Sequence, residues 1–113
     1  MIEIIIKNYL AEKLSVPVVL EVTANSPKSF VLLEKTGSSR EEHIDRAMLA
    51  IQSYAPSMYE AARLNERVKA AMDSAAELDA VSASRLNSDY NFTDTTTKRY
   101  RYQAVYDLVY YDE

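Results

Sequence analysis

The apolar positions of this chain change period from one stretch to the next. Ile2, Ile5, Ile6, Tyr9, Leu10 and Leu14 recur at i, i+3, i+4, i+7 and i+8, the stripe of a helix buried along one side. β-Branched isoleucines are mediocre helix formers, so the first turn is expected to be extended or frayed. The helix should stop before Pro17, whose ring pushes Val16 out of the helical region. Val18 to Val22 is a short β-branched run and reads as a strand, and Thr23 to Lys28 is a loop by composition. Ser29 to Thr36 reads as a second strand. Gly37-Ser38-Ser39 then reads as a turn, with the glycine supplying a positive φ.

Arg40 to Tyr54 fits two periods. Ile44, Ala47, Met48 and Ile51 have helical spacing, whereas Ala47, Leu49 and Ile51 alternate against Arg46, Met48, Ala50 and Gln52. A strand from about Ile44 to Tyr54 is preferred. It can close a hairpin with residues 29–36, and a new helix start follows it directly. That start is Pro56-Ser57-Met58-Tyr59-Glu60, with Ser57 as N-cap and Glu60 three residues on, as in a capping box. The helix is expected to run to about Leu78 with an Ala-rich stripe that lets a sheet approach closely. Val81 to Phe92 alternates, with Leu86, Tyr90 and Phe92 on one face and Arg85, Asn87, Asp89 and Asn91 on the other. Thr93 to Thr97 is a polar turn. Lys98 to Asp112 alternates again, Tyr100, Tyr102, Ala104, Tyr106, Leu108 and Tyr110 against Arg99, Arg101, Gln103, Val105, Asp107, Val109 and Tyr111.

The element order is therefore α-β-β-β-α-β-β. It implies an α+β fold: a largely antiparallel sheet with two helices packed on one face. A length of 113 residues is that of a single domain, 1–113.

Composition removes several chemistries. With no Cys there is no disulfide framework, thiolate nucleophile or Cys-based zinc site. A single Gly excludes a glycine-rich phosphate loop. The net charge of −4 argues against a general phosphate-backbone binder. The start, Met1 to Lys7, lacks a basic n-region and a small-residue cleavage site, and no apolar run approaches a membrane span. The chain is expected to act where it is made, in the cytoplasm, without a membrane partner.

His43 is the only histidine, with Glu41, Glu42 and Asp45 close by. Their spacing matches no metal-binding helix pair such as H-E-x-x-H, and no nucleophile elbow exists to complete a triad. The stretch reads as a solvated, charged entry to a strand. The carboxylates, including the terminal pair Asp112-Glu113, read as surface charge. A small hydrolase built on His43 or a carboxylate pair thus has little to stand on, and no catalytic, metal-binding or cofactor-binding residue is nominated. Lys98-Arg99-Tyr100-Arg101-Tyr102 interleaves basic and aromatic residues, a pattern that can hold single-stranded nucleic acid. Alternation, however, sends the arginines and the tyrosines to opposite faces. The more economical reading has Tyr packed toward the helices and Arg toward water or a protein partner. Tyr and Arg are enriched at interface hot spots, and edge strands are docking sites. The candidate protein–protein interface is therefore Arg99, Arg101, Tyr102, Tyr106, Tyr110 and Tyr111.

Leu86-Asn87-Ser88-Asp89-Tyr90-Asn91-Phe92 with Tyr100-Arg101-Tyr102-Gln103-Ala104-Val105-Tyr106 resembles the C-terminal part of tail-completion, or tail-terminator-like, minor structural proteins of siphophages and prophages. Glu34-Lys35-Thr36-Gly37, Ile44-Asp45-Arg46-Ala47, Ile51-Gln52-Ser53-Tyr54-Ala55 and Tyr59-Glu60-Ala61-Ala62 are similar as well. The likeness covers about residues 16–111 and lies in the order and length of segments. It implies a lambda-type tail-terminator fold or a close relative, and a non-catalytic virion structural protein without a cofactor. The implied assembly is a hexameric ring of the chain itself. That ring caps the tail tube and meets the head–tail connector, first in the host cytoplasm and then in the virion tail, with no direct nucleic-acid contact. A nucleic-acid-binding accessory module using strand 98–102 is the alternative.

Overall fold

The computed structural model describes residues 1–111. The terminal pair Asp112-Glu113 and the end of the last expected strand lie outside them. The first helix, α1, spans Ile2–Lys13 and is helical from its first turn, not frayed. Burial outweighs propensity here: Ile2 and Ile6 are both enclosed, and each buried isoleucine contributes roughly 1.5–3 kcal/mol. The chain leaves the helix at Leu14, three residues before Pro17.

β1 is only Val18–Val19, paired in parallel with Val31 and Leu32. The expected strand to Val22 is shorter because Leu20 and Val22 are 38% exposed each, with nothing to cover them. β2 runs Phe30–Glu41 and β3 runs Ile44–Tyr54, antiparallel from Phe30↔Tyr54 to Glu41↔Ile44. The hairpin is as expected, but its turn is not at Gly37-Ser38-Ser39. Those residues are paired with β3, Gly37 has no positive φ, and the irregularity is a bulge that leaves Thr36 unpaired. The chain reverses at Glu42-His43, both at positive φ (51° and 68°), as a two-residue hairpin loop demands.

Ser57 caps α2, Met58–Asp73: its Oγ accepts from the Glu60 backbone N–H at 3.2 Å and donates to Glu60 Oε2 at 3.1 Å. The helix was expected to continue to Leu78, but breaks at Ser74 into a single 3₁₀ turn, Ala75–Glu77. β4, Val81–Asn91, and β5, Arg101–Tyr110, form the second hairpin. β5 inserts between β3 and β4, giving the order β1-β2-β3-β5-β4. Every pairing except that of β1 is antiparallel. The fold is α+β, with both helices on one face of a mostly antiparallel sheet.

The core lies between helices and sheet. Ile6 and Leu10 of α1 and Leu64, Val68 and Met72 of α2 meet Val31, Leu33, Leu49, Ile51, Tyr106 and Leu108. Polar pins fix the helices on it. Tyr9 Oη donates to the Ala71 carbonyl (2.8 Å), tying α1 to α2. Lys69 Nζ sits 2.9 Å from Asp89 Oδ2, which also accepts from Asn65 Nδ2 at 2.9 Å, tying α2 to β4. The Lys69 hydrogen bond holds the Asp89 carboxyl below its ordinary range, with Asn65 helping and burial opposing. Burial, and then the Tyr106 hydrogen bond to Asp73 Oδ1 (3.0 Å), push the Tyr106 phenol well above its ordinary value.

Candidate assembly surface

Among the described residues, the second face of the sheet carries no helix. Along β3 the core takes Ala47, Leu49 and Ile51, so strand alternation leaves Arg46, Met48, Ala50, Gln52 and Tyr54 on the open side. Cross-strand pairing adds Phe30, Leu32 and Glu34 from β2 and Arg101, Gln103, Val105, Asp107 and Val109 from β5. From β4 come Ala83, Arg85, Ser88 and Tyr90.

One end of this face is a continuous polar and aromatic lattice. Arg101 Nη1 donates to Tyr54 Oη at 2.7 Å, and Tyr54 Oη donates to Gln52 Oε1 at 2.9 Å. Gln52 Nε2 donates to Gln103 Oε1 at 2.8 Å, and Gln103 Nε2 donates to Tyr90 Oη at 2.6 Å. The Tyr54 ring stacks on Phe30 with centroids 4.5 Å apart, and the Arg99 guanidinium lies 5.1 Å from that ring's centroid on β3. Arg101 also covers Phe92 at 4.5 Å. Gln52 and Gln103 are buried on a face that no helix covers. Their amides are spared the cost of an unmade bond because each finds a partner in the lattice.

The other end is a shallow groove of about 520 Å³. Met48, Ala83 and Val109 line it, with Gly37 and Ser39 at one margin and Arg46 and Arg85 at hand. Apolar residues there are only half covered, and Met48 is 39% exposed. Asp107 accepts from Asn87 Nδ2 at 3.1 Å.

The residues nominated from sequence divide between the two faces. Arg99 and Arg101 lie on the open face, and Tyr111 is exposed just past β5. Tyr102 is half-buried on the helix side. Tyr106 and Tyr110 are corrected: they are core residues, at 0% and 5% exposure, and offer a partner nothing. The inward alternation along β5 spends both on packing against the helices.

A second correction concerns β4. Asn87 is unpaired in a bulge between Leu86 and Ser88, which reverses the side-chain parity along the strand. Leu86 and Asp89 therefore share the helix side, while Arg85 and Tyr90 share the open side. Arginines and aromatics thus do converge on one face, from different strands, against the simple alternation expected within one strand. Phe30, Gln52, Tyr54, Tyr90 and Phe92 were missed as site residues. A sequence signal existed in the alternate spacing of Gln52 with Tyr54 and of Arg101 with Gln103, but only the strand pairing joins them.

Among the described residues, no three His, Cys, Asp or Glu side chains come together as a metal site, and no helix is long and apolar enough to cross a membrane. His43 sits exposed on the β2–β3 turn. No protein-family model matches the chain, and no curated protein matches it.

Proposed function

We propose that this chain is a non-catalytic virion structural protein that assembles with copies of itself, in a ring of six by the resemblance above. Its role would be to complete a phage tail where the tail tube meets the head–tail connector. The observation that carries the reading is the bare sheet face, held rigid by the Arg101–Tyr54–Gln52–Gln103–Tyr90 lattice beside a half-exposed apolar groove. A preorganised, half-apolar surface suits a protein partner, because little side-chain freedom is left to lose on binding. The order and length of segments over residues 16–111 supply the tail-completion part of the reading. The test is native mass spectrometry over a concentration series, alone and with a phage tail-tube protein. Rings of one stoichiometry are expected. A monomer under all those conditions would overturn the reading.

The alternative, a nucleic-acid-binding module, is favoured by one observation: Arg99 and Arg101 share a face with Tyr90 and Phe92. Against it, the guanidinium of Arg101 is already held by Tyr54 and the Phe92 carbonyl, and Tyr54 is buried away from any base. Binding that falls steeply with salt is the signature of that reading, and a flat low-salt titration disposes of it.

A further inference from the structure

Among the described residues, the sheet has two open edges. Among the described residues, β1 is the strand on the outer side of β2 and covers it only at Val31 and Leu32, so no strand lies beyond β2 along Leu33–Ser39. β4 ends the strand order at the other side, and among the described residues no strand pairs with its outer side along Val81–Asn91. Free edges are templates for another strand. These two lie on opposite sides of one sheet. A contact between them joins unlike surfaces and repeats head to tail, which generates a ring when the rotation closes.

Three features select this joint over the pairing of an edge with its own copy. The first is direction. β2, β3, β5 and β4 are antiparallel at each step, so β4 of one copy beside β2 of the next is antiparallel again, with the helices of both copies on the same side.

The second is charge. On the open face β2 carries Glu34 and Glu41, and β4 carries Arg85. On the helix face β2 carries Lys35 and Arg40, beside Glu3 and Asp45, and β4 carries Asp89. Each edge thus shows the other the opposite sign on both faces. Two copies of β2 would oppose acid to acid and base to base, and two copies of β4 would fare no better. Cross-strand pairs of unlike charge stabilise and those of like charge destabilise.

The third is register. With Lys35 opposite Asp89, the bulge residues Thr36 and Asn87 fall at neighbouring rungs. The remaining residues from Glu34 to Glu41 then meet those from Tyr90 back to Ala83, helix side against helix side at every rung. Arg85 lies opposite Ser39 and diagonal to Glu41. The bulges and charges that guard each edge against indiscriminate pairing match only across this joint. Lys35, Arg40 and Asp89 already hold ion pairs within the protomer, so the new attraction is on the open face, between Glu41 and Arg85.

We propose that copies of this chain join head to tail by antiparallel pairing of the free β2 edge with the free β4 edge of the next copy, Lys35 opposite Asp89. The inference rests on the self-assembly reading above and assigns which edges make the contact. Glu41 and Arg85 are both exposed, so Glu41→Arg and Arg85→Glu leave the protomer folded, which circular dichroism checks. Sedimentation at low salt should show association of each single variant weakened about tenfold, and regained in the chain carrying both changes. Hydrogen exchange on the assembled parent should show new protection at residues 37–41 and 83–86 together. Single reversals that associate like the parent, no recovery in the double variant, or protection confined to one edge would each overturn the joint. A parent that stays monomeric overturns the self-assembly reading and the joint together. One that assembles while both edges exchange as in the monomer overturns the joint alone.

Discussion

Glu42 and His43 turn the β2–β3 hairpin at φ of 51° and 68°, a conformation that costs an L-residue with a Cβ roughly 1–2 kcal/mol. Asn and Gly adopt it readily, which is why two-residue hairpin loops favour Asn-Gly. Replacing the pair by Glu42→Asn with His43→Gly should therefore stabilise the protein by about 1 kcal/mol. Urea denaturation would show it as a higher midpoint at unchanged slope. A lower midpoint would mean that the native turn is not strained. Ser57 makes the opposite case. Its hydroxyl satisfies the otherwise unpaired Glu60 N–H, so Ser57→Ala should cost about 1 kcal/mol. A loss below a few tenths in the same measurement would place the start of α2 elsewhere. The cap was legible in the sequence because both partners lie within four residues. The hairpin turn was not, because Glu-His carries no turn signal and Gly37 gave a false one.

Elements whose pattern is set by a single buried face could be read directly: the helix stripe of α1, the alternation in β3 and β5, and the hairpin order were all visible. What escaped depended on pairing across the chain. The Asn87 bulge cannot be seen from β4 alone, since it is defined against Val105 and Tyr106 of β5. It decides which side Tyr90 and Arg85 face, and hence the composition of the open surface. Tyr106 and Tyr110 were assigned to the right side of β5 and still nominated for a partner, because aromatic enrichment alone does not separate a core from an interface. The pins between α2 and the sheet carry a pH signature. The folded pKa of Asp89 is depressed by Lys69. Its contribution is present above the unfolded carboxylate value of about 3.9 and is lost as pH falls through the folded value. That of Tyr106 is raised. Its contribution is full below about pH 10 and is lost as pH climbs toward the folded value. Asp89→Asn should flatten the acid limb of a stability–pH curve and also soften the alkaline limb, because Lys69 loses the partner that raises the pKa of its ammonium, whereas Tyr106→Phe should flatten the alkaline limb alone. An acid limb unchanged by Asp89→Asn, or one flattened by Tyr106→Phe, would mean that these pins do not carry the pH dependence.

At the scale of the molecule, charge is distributed unevenly. The chain carries −4 overall, yet its open sheet face presents Arg46, Arg85, Arg99 and Arg101 against Glu34, Glu41 and Asp107. Identical copies with a net negative charge repel at long range, so association must come from local complementarity and apolar burial. The groove beside Met48 supplies the apolar part. If the open face is where a tail partner sits, Met48→Glu should abolish co-assembly. At 39% exposure the change should move protomer stability by no more than about 0.5 kcal/mol. Tyr59, 69% exposed on α2, is the matched control on the helix side, and Tyr59→Ala should leave partner capture unchanged. A pull-down with a phage tail-tube protein, read beside a urea curve for each variant, separates the outcomes. Loss of capture in the Met48 variant alone, at parental stability, is the expected result. Equal capture by both variants would mean that the open face is not the contact surface.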